Sequence, residues 1–397
     1  MPIIHITQHF WPMRGGQELL IHKMCKVASS LGMRTLIIQP FQFSLLKRST
    51  YTQGNFPENT ILLPIPTFYN LFILAKKTIN IFKIDFSTET SNYIPWVSFN
   101  FSLKLFSCFF KLFNFKKMVI IHYHFHQPSF NLSNSFIFSH GVIWERPPKT
   151  KLDHIRMNTL ELVIKNKNVK GVIANDHDYI REIEKVSSEK VIMNKKLIFL
   201  PNPVDLSMFY FDRSVSNNSL DFKRIILIRN IRNDRGIYEA IKSFLIFLNN
   251  EEFLDWTLDI FGLYEEKDSY YLMCKNLIPK SLENQIKFKG TVNNSEVADI
   301  YRKSSLSLVP SQSLEGTSLS ALESMACGTP CISTPIGGLL DLPTYKSKSI
   351  SCDDIAIAIK ELILNFYEIR QKQIEGVKKF SLENWTENFG NILKDNY

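Results

Sequence analysis

The chain has 397 residues, 45% hydrophobic and 21% charged, with a formal net charge of +9. That composition excludes a disordered or low-complexity protein, and the length calls for two domains rather than one core. The positive charge points to an anionic partner, whether nucleic acid, phosphorylated substrate or membrane surface. No zinc finger, RNA-recognition signature or basic helix repeat accompanies it, so no nucleic-acid partner is expected. Six scattered cysteines (25, 108, 274, 327, 331, 352) read as reduced thiols of a cytoplasmic protein. The start, "MPIIHITQHFWP", has no basic n-region or cleavage site and reads as a mature terminus.

In chain order, "IIHIT" reads as a first strand, followed by a loop containing Gly15 and Gly16. "QELLIHKMCKVASSLG" follows as a helix with apolar residues at Leu19, Leu20, Met24, Val27 and Leu31, stopping at Gly32. "TLIIQP", "MVIIHYHFH", "SFIFSH", "GVIAN" and "KLIFLPNPVD" read as strands running into polar loops. The polar stretch 210–224 reads as a linker. Beyond it "RIILIRN", "TLDIFG", "IKFKG", "LSLVPS" and "PCIST" repeat the same alternation with helices between. The grammar is that of two Rossmann-like α/β domains. Residues 71–117 break it: dense in phenylalanine, they carry Asn100, Lys104, Ser107, Lys111 and Asn114 on one narrow helical stripe. That stretch suits either a core helix or a helix lying against an anionic membrane, and Lys104 and Lys111 argue against a bilayer span.

"SLEGTSLSALESMACGTPCISTPIGG" (313–338) is the most informative segment. If helix covered all of 315–323, Glu315 and Glu323 would stand roughly 12 Å apart along the axis, too far to share a proton or a metal. A helix starting near Thr317 or Ser318 instead leaves Glu315 in the loop and Glu323 on the second turn, framing one ligand. Backbone amides around Gly316, Thr317, Ser318 and Leu319 would then form an anion site suited to a diphosphate. Taken alone, the segment also fits an ordinary strand–loop–helix with two surface glutamates.

The same segment resembles the retaining GT-B glycosyltransferases called glycosyl transferases group one. Glu315, Glu323, Gly328, Pro330, Gly337 and Gly338 fall where that family's Glu-x7-Glu, Gly-x-Pro and Gly-Gly pattern places them. Asp341 stands where the family usually has glutamate. "FWPMRGGQELL" resembles the family's N-terminal Gly-Gly loop, "FLPNPVDLSMF" its inter-domain segment and "FSLENWTENF" its closing helix.

The resemblance implies two Rossmann-like domains facing across a cleft: an acceptor-side domain over 1–209, a nucleotide-sugar domain over 210–380, and a helix over 381–397 returning to the first. It implies transfer of a sugar from a nucleotide-sugar donor to an acceptor hydroxyl with retention, usually described by a front-face route, without a metal. Gly15 and Gly16 would admit the donor diphosphate, Glu323 would hold the ribose and Glu315 the sugar. The family's basic pair maps onto "LIRNIRNDRG": Arg235 takes the lysine position, and the other cation is Arg229 if a one-residue-longer variant applies, since strict spacing selects Asn230. Arg232 is the remaining alternative. Arginine keeps the role through its forked, permanent charge.

Of the histidines in "HYHFHQPSF", three on one strand are spaced too widely to bind one metal without a bend. The resemblance carries the sugar-contacting role to His126, with His124 and His140 as lesser candidates. "NDHDY" mimics a metal-binding acidic triplet, but Asp176 as a helix N-cap explains it more simply. The family's setting suggests capsule, lipopolysaccharide or exopolysaccharide assembly on a glycan or lipid-linked acceptor. That puts the protein in the cytoplasm, with peripheral contact to the inner face of the plasma membrane as a further expectation. A non-catalytic nucleotide-sugar-binding or scaffold protein on the same fold stays open.

Overall fold

The computed structural model describes residues 2–7, 16–41, 56–67, 98–99, 101–103, 105, 118–123, 134–142, 148–186, 195–216 and 219–396. Contacts divide the chain into two compact units, residues 1–200 with 386–397, and residues 201–385.

The first unit is built on β1 (Pro2–Ile6), β2 (Arg34–Pro40), β3 (Thr60–Ile65), β4 (Val119–Tyr123), β5 (Ser135–Ser139), β6 (Val169–Ala174) and β7 (Lys196–Phe199). They form one sheet in the order β3-β2-β1-β4-β5-β6-β7, and each neighbouring pair is parallel. Parallel strands need crossovers. Among the described residues these are α1 (Gly16–Ser30), α2 (Lys151–Lys165) and α3 (His177–Val186). The central strands β4 and β5 are buried throughout because both faces are covered, whereas the edge strands β3 and β7 are partly exposed. Ile4, Ile6, Ile38, Ile65 and Ile120 pack with Phe99 and Leu103 on one side. In the same stretch Phe101 and Leu105 are exposed, while Lys104, Lys111 and most of 71–117 lie outside the described residues.

The second unit repeats the plan with β8 (Arg224–Ile228), β9 (Thr257–Phe261), β10 (Ile286–Gly290), β11 (Leu306–Val309), β12 (Cys331–Ser333) and β13 (Tyr345–Lys346). The order is β10-β9-β8-β11-β12-β13, again parallel throughout. Its helices are α4 (Ile237–Phe247), α5 (Ser269–Asn276), α6 (Asn294–Arg302), α7 (Leu319–Ala326), α8 (Cys352–Leu364) and α9 (Phe366–Val377), with α10 (Leu382–Asp395) closing the chain. Strand alternation shares the apolar residues between two cores. Ile225 and Leu227 join Phe244 and Ile359 on one face, while Ile226 joins Ala321, Leu322 and Met325 on the other. The reversal of strand order falls between β8 and β11, the place where doubly wound sheets bind ligands beyond their strand ends.

The division falls between Leu200 and Pro201, ahead of the boundary expected at 209. Val204 and Phe209 are buried in the second unit's core, and Val204 bridges Ser381. Arg302 donates to the carbonyls of Met208 (2.9 Å) and Tyr210 (3.2 Å), fastening the first part of the expected linker to α6. Residues 213–216 and 219–222 then form short helical turns before β8 starts, so the described parts of 210–224 are not open linker. The body of α10 groups with the first unit, where Asn134 donates to the Asn396 carbonyl at 2.8 Å.

Candidate active site

Three charged side chains singled out from the sequence meet at the C-terminal ends of β8 and β11. After β8 the backbone still pairs with the β9 side, Arg229 N–H donating to Phe261 O at 2.8 Å. The chain then makes a tight turn over Asn233–Arg235 that ends at Gly236, with φ +71°. A Cβ on Gly236 would lie 1.8 Å from the Pro310 carbonyl oxygen, so only glycine lets this turn sit against the end of β11. Gln312 N–H donates to Asp234 O at 3.1 Å and fastens the two loops together.

This fastening brings Arg229 and Arg235 onto one oxygen, Oε2 of Glu315. The second oxygen, Oε1, accepts from Ser311 Oγ at 2.9 Å, and Ser311 Oγ accepts from Arg229 Nη1 at 2.5 Å. Side-chain exposure is 6% for Arg229, 12% for Glu315 and 30% for Arg235, so the cluster opens to solvent on the Arg235 side. Burial and the neighbouring Arg229 lower the pKa of Arg235, and Glu315 pulls it back up. Asn230, the strict-spacing alternative, is exposed and accepts from Leu263 N–H at 3.4 Å. Arg232 pairs with Asp234 at the surface, away from Glu315.

Glu315 lies in the loop before α7, as the shorter-helix reading requires, with Ser318 at the N-cap. Ser318 makes no side-chain cap bond, and Leu322 N–H to Ser318 O (3.3 Å) opens the helical ladder. The first-turn amides, starting at Leu319, lie before that ladder and give this end its anion-attracting character. Gly316, Thr317 and Ser318 are buried, Leu319 is half-buried, and Glu323 sits half-buried on the second turn of α7. The Gly-Gly turn supports the loop from below: Gly338 N–H donates to Glu315 O at 2.7 Å. At Gly337, with φ +52°, a Cβ would stand 2.5 Å from that same oxygen.

Three further residues were not singled out from the sequence. Ser311 is the shared partner of Arg229 and Glu315, and its carbonyl accepts from Thr334 Oγ1 at 2.7 Å. Asn202 Nδ2 donates to Thr317 O at 2.8 Å, tying the "PNPVD" segment to the α7 loop. The signal for Ser311 was its place just beyond the end of β11, where such sheets put their working residues.

In the first unit, Gly16 is the first residue of α1, whereas Gly15, His124 and His126 lie outside the described residues. His122 is buried on β4, and His140 follows β5 with its ring 6.2 Å from that of Tyr123. Asp176 caps α3, accepting from Tyr179 N–H at 2.7 Å, and Asp178 pairs with Arg181 at 3.2 Å. The described cysteines, 25, 274, 327, 331 and 352, are free thiols. No helix among the described residues is long and apolar enough to cross a membrane.

Residues 209–380 match the family model "Glycosyl transferases group 1". The match covers the second unit apart from its first residues and its end. N-acetyl-alpha-D-glucosaminyl L-malate synthase of Bacillus anthracis is 28% identical over 188 residues, 46% of each chain. An uncharacterized glycosyltransferase of Methanocaldococcus jannaschii is 34% identical over 151 residues, 37% of this chain and 41% of that one. The chain therefore spans less than half the length of the curated relatives it matches. Among solved structures, sucrose-phosphate synthase from Thermosynechococcus elongatus superposes with a TM-score of 0.72 at 16% identity, covering 99% of this chain and 98% of that one. Anabaena HepE in complex with UDP and glucose gives 0.66 at 14% identity, with both chains fully covered. The fold is that of the GT-B glycosyltransferases, two parallel-sheet α/β domains. The residues matched by the family model include the whole Arg229–Glu315–Arg235 cluster.

Proposed function

We propose that this protein is a retaining glycosyltransferase that moves a sugar from a nucleotide-sugar donor to an acceptor hydroxyl. The observation that carries the reading is the convergence of Arg229 and Arg235 beside the α7 N-terminus, on the ligand side of a doubly wound sheet. As the acceptor oxygen bonds to the anomeric carbon, the electrons of the breaking sugar–oxygen bond leave on the diphosphate, whose freed oxygen takes the acceptor's hydroxyl proton. Two fixed cations and the first-turn amides of α7 stabilise that growing charge more in the transition state than in the ground state. Glu323 holds the ribose hydroxyls, and Gly316 to Leu319 supply the loop and amides. Gly15, Gly16 and His126 would serve the donor from the first unit.

The family match within the second unit supports glycosyl transfer, and a fold neighbour whose structure contains UDP-glucose supports the donor class. Retention and operation without a metal follow the family resemblance. A glycan or lipid-linked acceptor, and a role in capsule, lipopolysaccharide or exopolysaccharide assembly in the cytoplasm, are its further implications; peripheral contact with anionic membrane would use the lysines of 71–117. The test is a binding screen of the full chain against nucleoside diphosphate sugars, followed by nucleotide release with candidate acceptors. Binding with acceptor-dependent release supports the reading. Binding without release under every acceptor favours the scaffold alternative, and absence of binding removes both.

A further inference from the structure

The seat between the two arginines is taken by an anion of the chain itself. Glu315 gives Oε2 to Arg229 and Arg235 together and Oε1 to Ser311, so both carboxylate oxygens are engaged. At 6% and 12% exposure, the Arg229 and Glu315 side chains are little screened by water. A ligand anion gains the guanidinium groups only by taking them from this carboxylate.

Resting on the diphosphate-clamp reading above, we propose that Glu315 is a specificity-determining residue, a built-in competitor that a diphosphate displaces and a single phosphate does not. A diphosphate has enough oxygens and charge to engage both guanidinium groups and the first-turn amides of α7 at once, replacing every contact it breaks. A single phosphate reaches fewer of these partners and leaves a buried carboxylate stripped of its cations, which is costly. The lowered pKa of Arg235, caused by burial and by Arg229, shows the same need from the cation side: two adjacent guanidinium groups require an anion between them. The displaced Glu315 keeps Ser311 as a donor and turns its other oxygen to the hydroxyls of the arriving sugar. Its two roles, seat-filler and sugar contact, then alternate within one turnover.

Calorimetric titration of inorganic phosphate and pyrophosphate into the full chain and its Glu315→Gln variant tests this. The wild type should bind pyrophosphate and discriminate against phosphate. The glutamine variant should bind both more tightly, phosphate by on the order of tenfold or 1.4 kcal/mol, so that the selectivity narrows. Pyrophosphate binding to the wild type with no gain in the variant overturns the proposal and leaves the clamp standing. Failure of both proteins to bind pyrophosphate removes the clamp reading and the proposal with it. If Glu315→Gln does not fold, Glu315→Asp keeps the charge but shortens the carboxylate's reach to the two guanidinium groups; a gain of roughly threefold in phosphate binding supports the proposal, and no gain overturns it.

Discussion

All nine histidines lie in residues 1–200, while the second unit has none and gathers arginines around a glutamate instead. Two parallel sheets of the same plan thus manage polar groups in opposite ways. In the first unit, His5 on β1 and His122 on β4 are buried as neutral rings, with burial pushing both pKa values down to about 3. His5 has a fixed partner: its Nδ1 hydrogen-bonds with Tyr123 OH at 2.8 Å, and the same hydroxyl lies 2.9 Å from Met24 Sδ. In the second unit, guanidinium groups that stay charged across the working pH range meet a carboxylate in a partly dry site. The first arrangement keeps two imidazoles uncharged among buried strands; the second concentrates charge at the strand ends.

Acid should break this contrast most visibly. An unfolded histidine binds its proton near pH 6.5, while His5 and His122 resist protonation until about pH 3. The unfolded state therefore holds more protons between those values, and stability falls as pH falls through the window. Each histidine costs about 1.4 kcal/mol per pH unit there, or roughly 4 kcal/mol for the two together at about pH 5. Hydrogen exchange resolved by segment and corrected for intrinsic rates should show β1 and β4 losing protection at pH 5 relative to pH 7.5, with β8 and β11 nearly unchanged. Equal loss in both units would mean that the buried rings do not set acid stability.

The second-largest effect belongs to the charged unit. Arg235→Ala should lower turnover by on the order of a hundredfold, about 3 kcal/mol, with a smaller loss in donor binding. Arg235→Lys should recover much of it, because a point charge on a flexible stem still reaches the open side of the cluster, where Arg235 is 30% exposed. Arg229→Ala should cost as much in turnover and more in stability, since it strips a buried carboxylate and Ser311 of a shared partner. Arg232→Ala should change little, its contact being a surface pair with Asp234. Unchanged turnover in both Arg229→Ala and Arg235→Ala would end the clamp mechanism.

The two units were also unequally legible. In the second, the strand–loop–helix order, the placement of Glu315 before α7 and the Gly-Gly turn could be read directly. Each rests on local backbone chemistry that leaves marks in the sequence. Ser311 could not be found the same way, because its importance comes from two residues brought in by separate loops. In the first unit, β3 was missed: its Ile61 and Leu63 alternate with more buried neighbours, and Pro64 interrupts the strand signal at the edge of the sheet. Helix α2 was missed too, although Thr150 and Asp153 form a capping box that marks its start. The polar stretch 210–224 hides how the preceding segment is held: Phe209 is buried in the second core and Arg302 donates to the Met208 carbonyl.

A milder test probes the proposed ribose contact of α7. Glu323 is half-buried on the second turn, and the Glu323→Gln variant keeps its shape and helix propensity while removing the charge. Donor affinity should fall by on the order of tenfold, near 1.4 kcal/mol, with the thermal midpoint unmoved. Wild-type affinity in this variant would remove Glu323 from the ribose role while leaving the arginine pair in place.

The smallest expected effect is that of chelation, and it sharpens the comparison from the first unit's side. The acidic pair that looks most like a metal site there is already committed: Asp176 Oδ1 receives the Tyr179 amide and Asp178 receives Arg181. A cation held by that pair would compete with the cap of α3 and with a guanidinium. In the proposed mechanism the positive charge for a departing diphosphate would come from Arg229 and Arg235 of the second unit, which no chelator removes. Steady-state turnover measured after exhaustive EDTA treatment should therefore equal that of untreated protein. Loss of turnover restored by manganese would instead show that the arginine pair is insufficient alone. If Asp178→Asn then abolished the manganese response, the decisive cation would lie in the histidine-bearing unit.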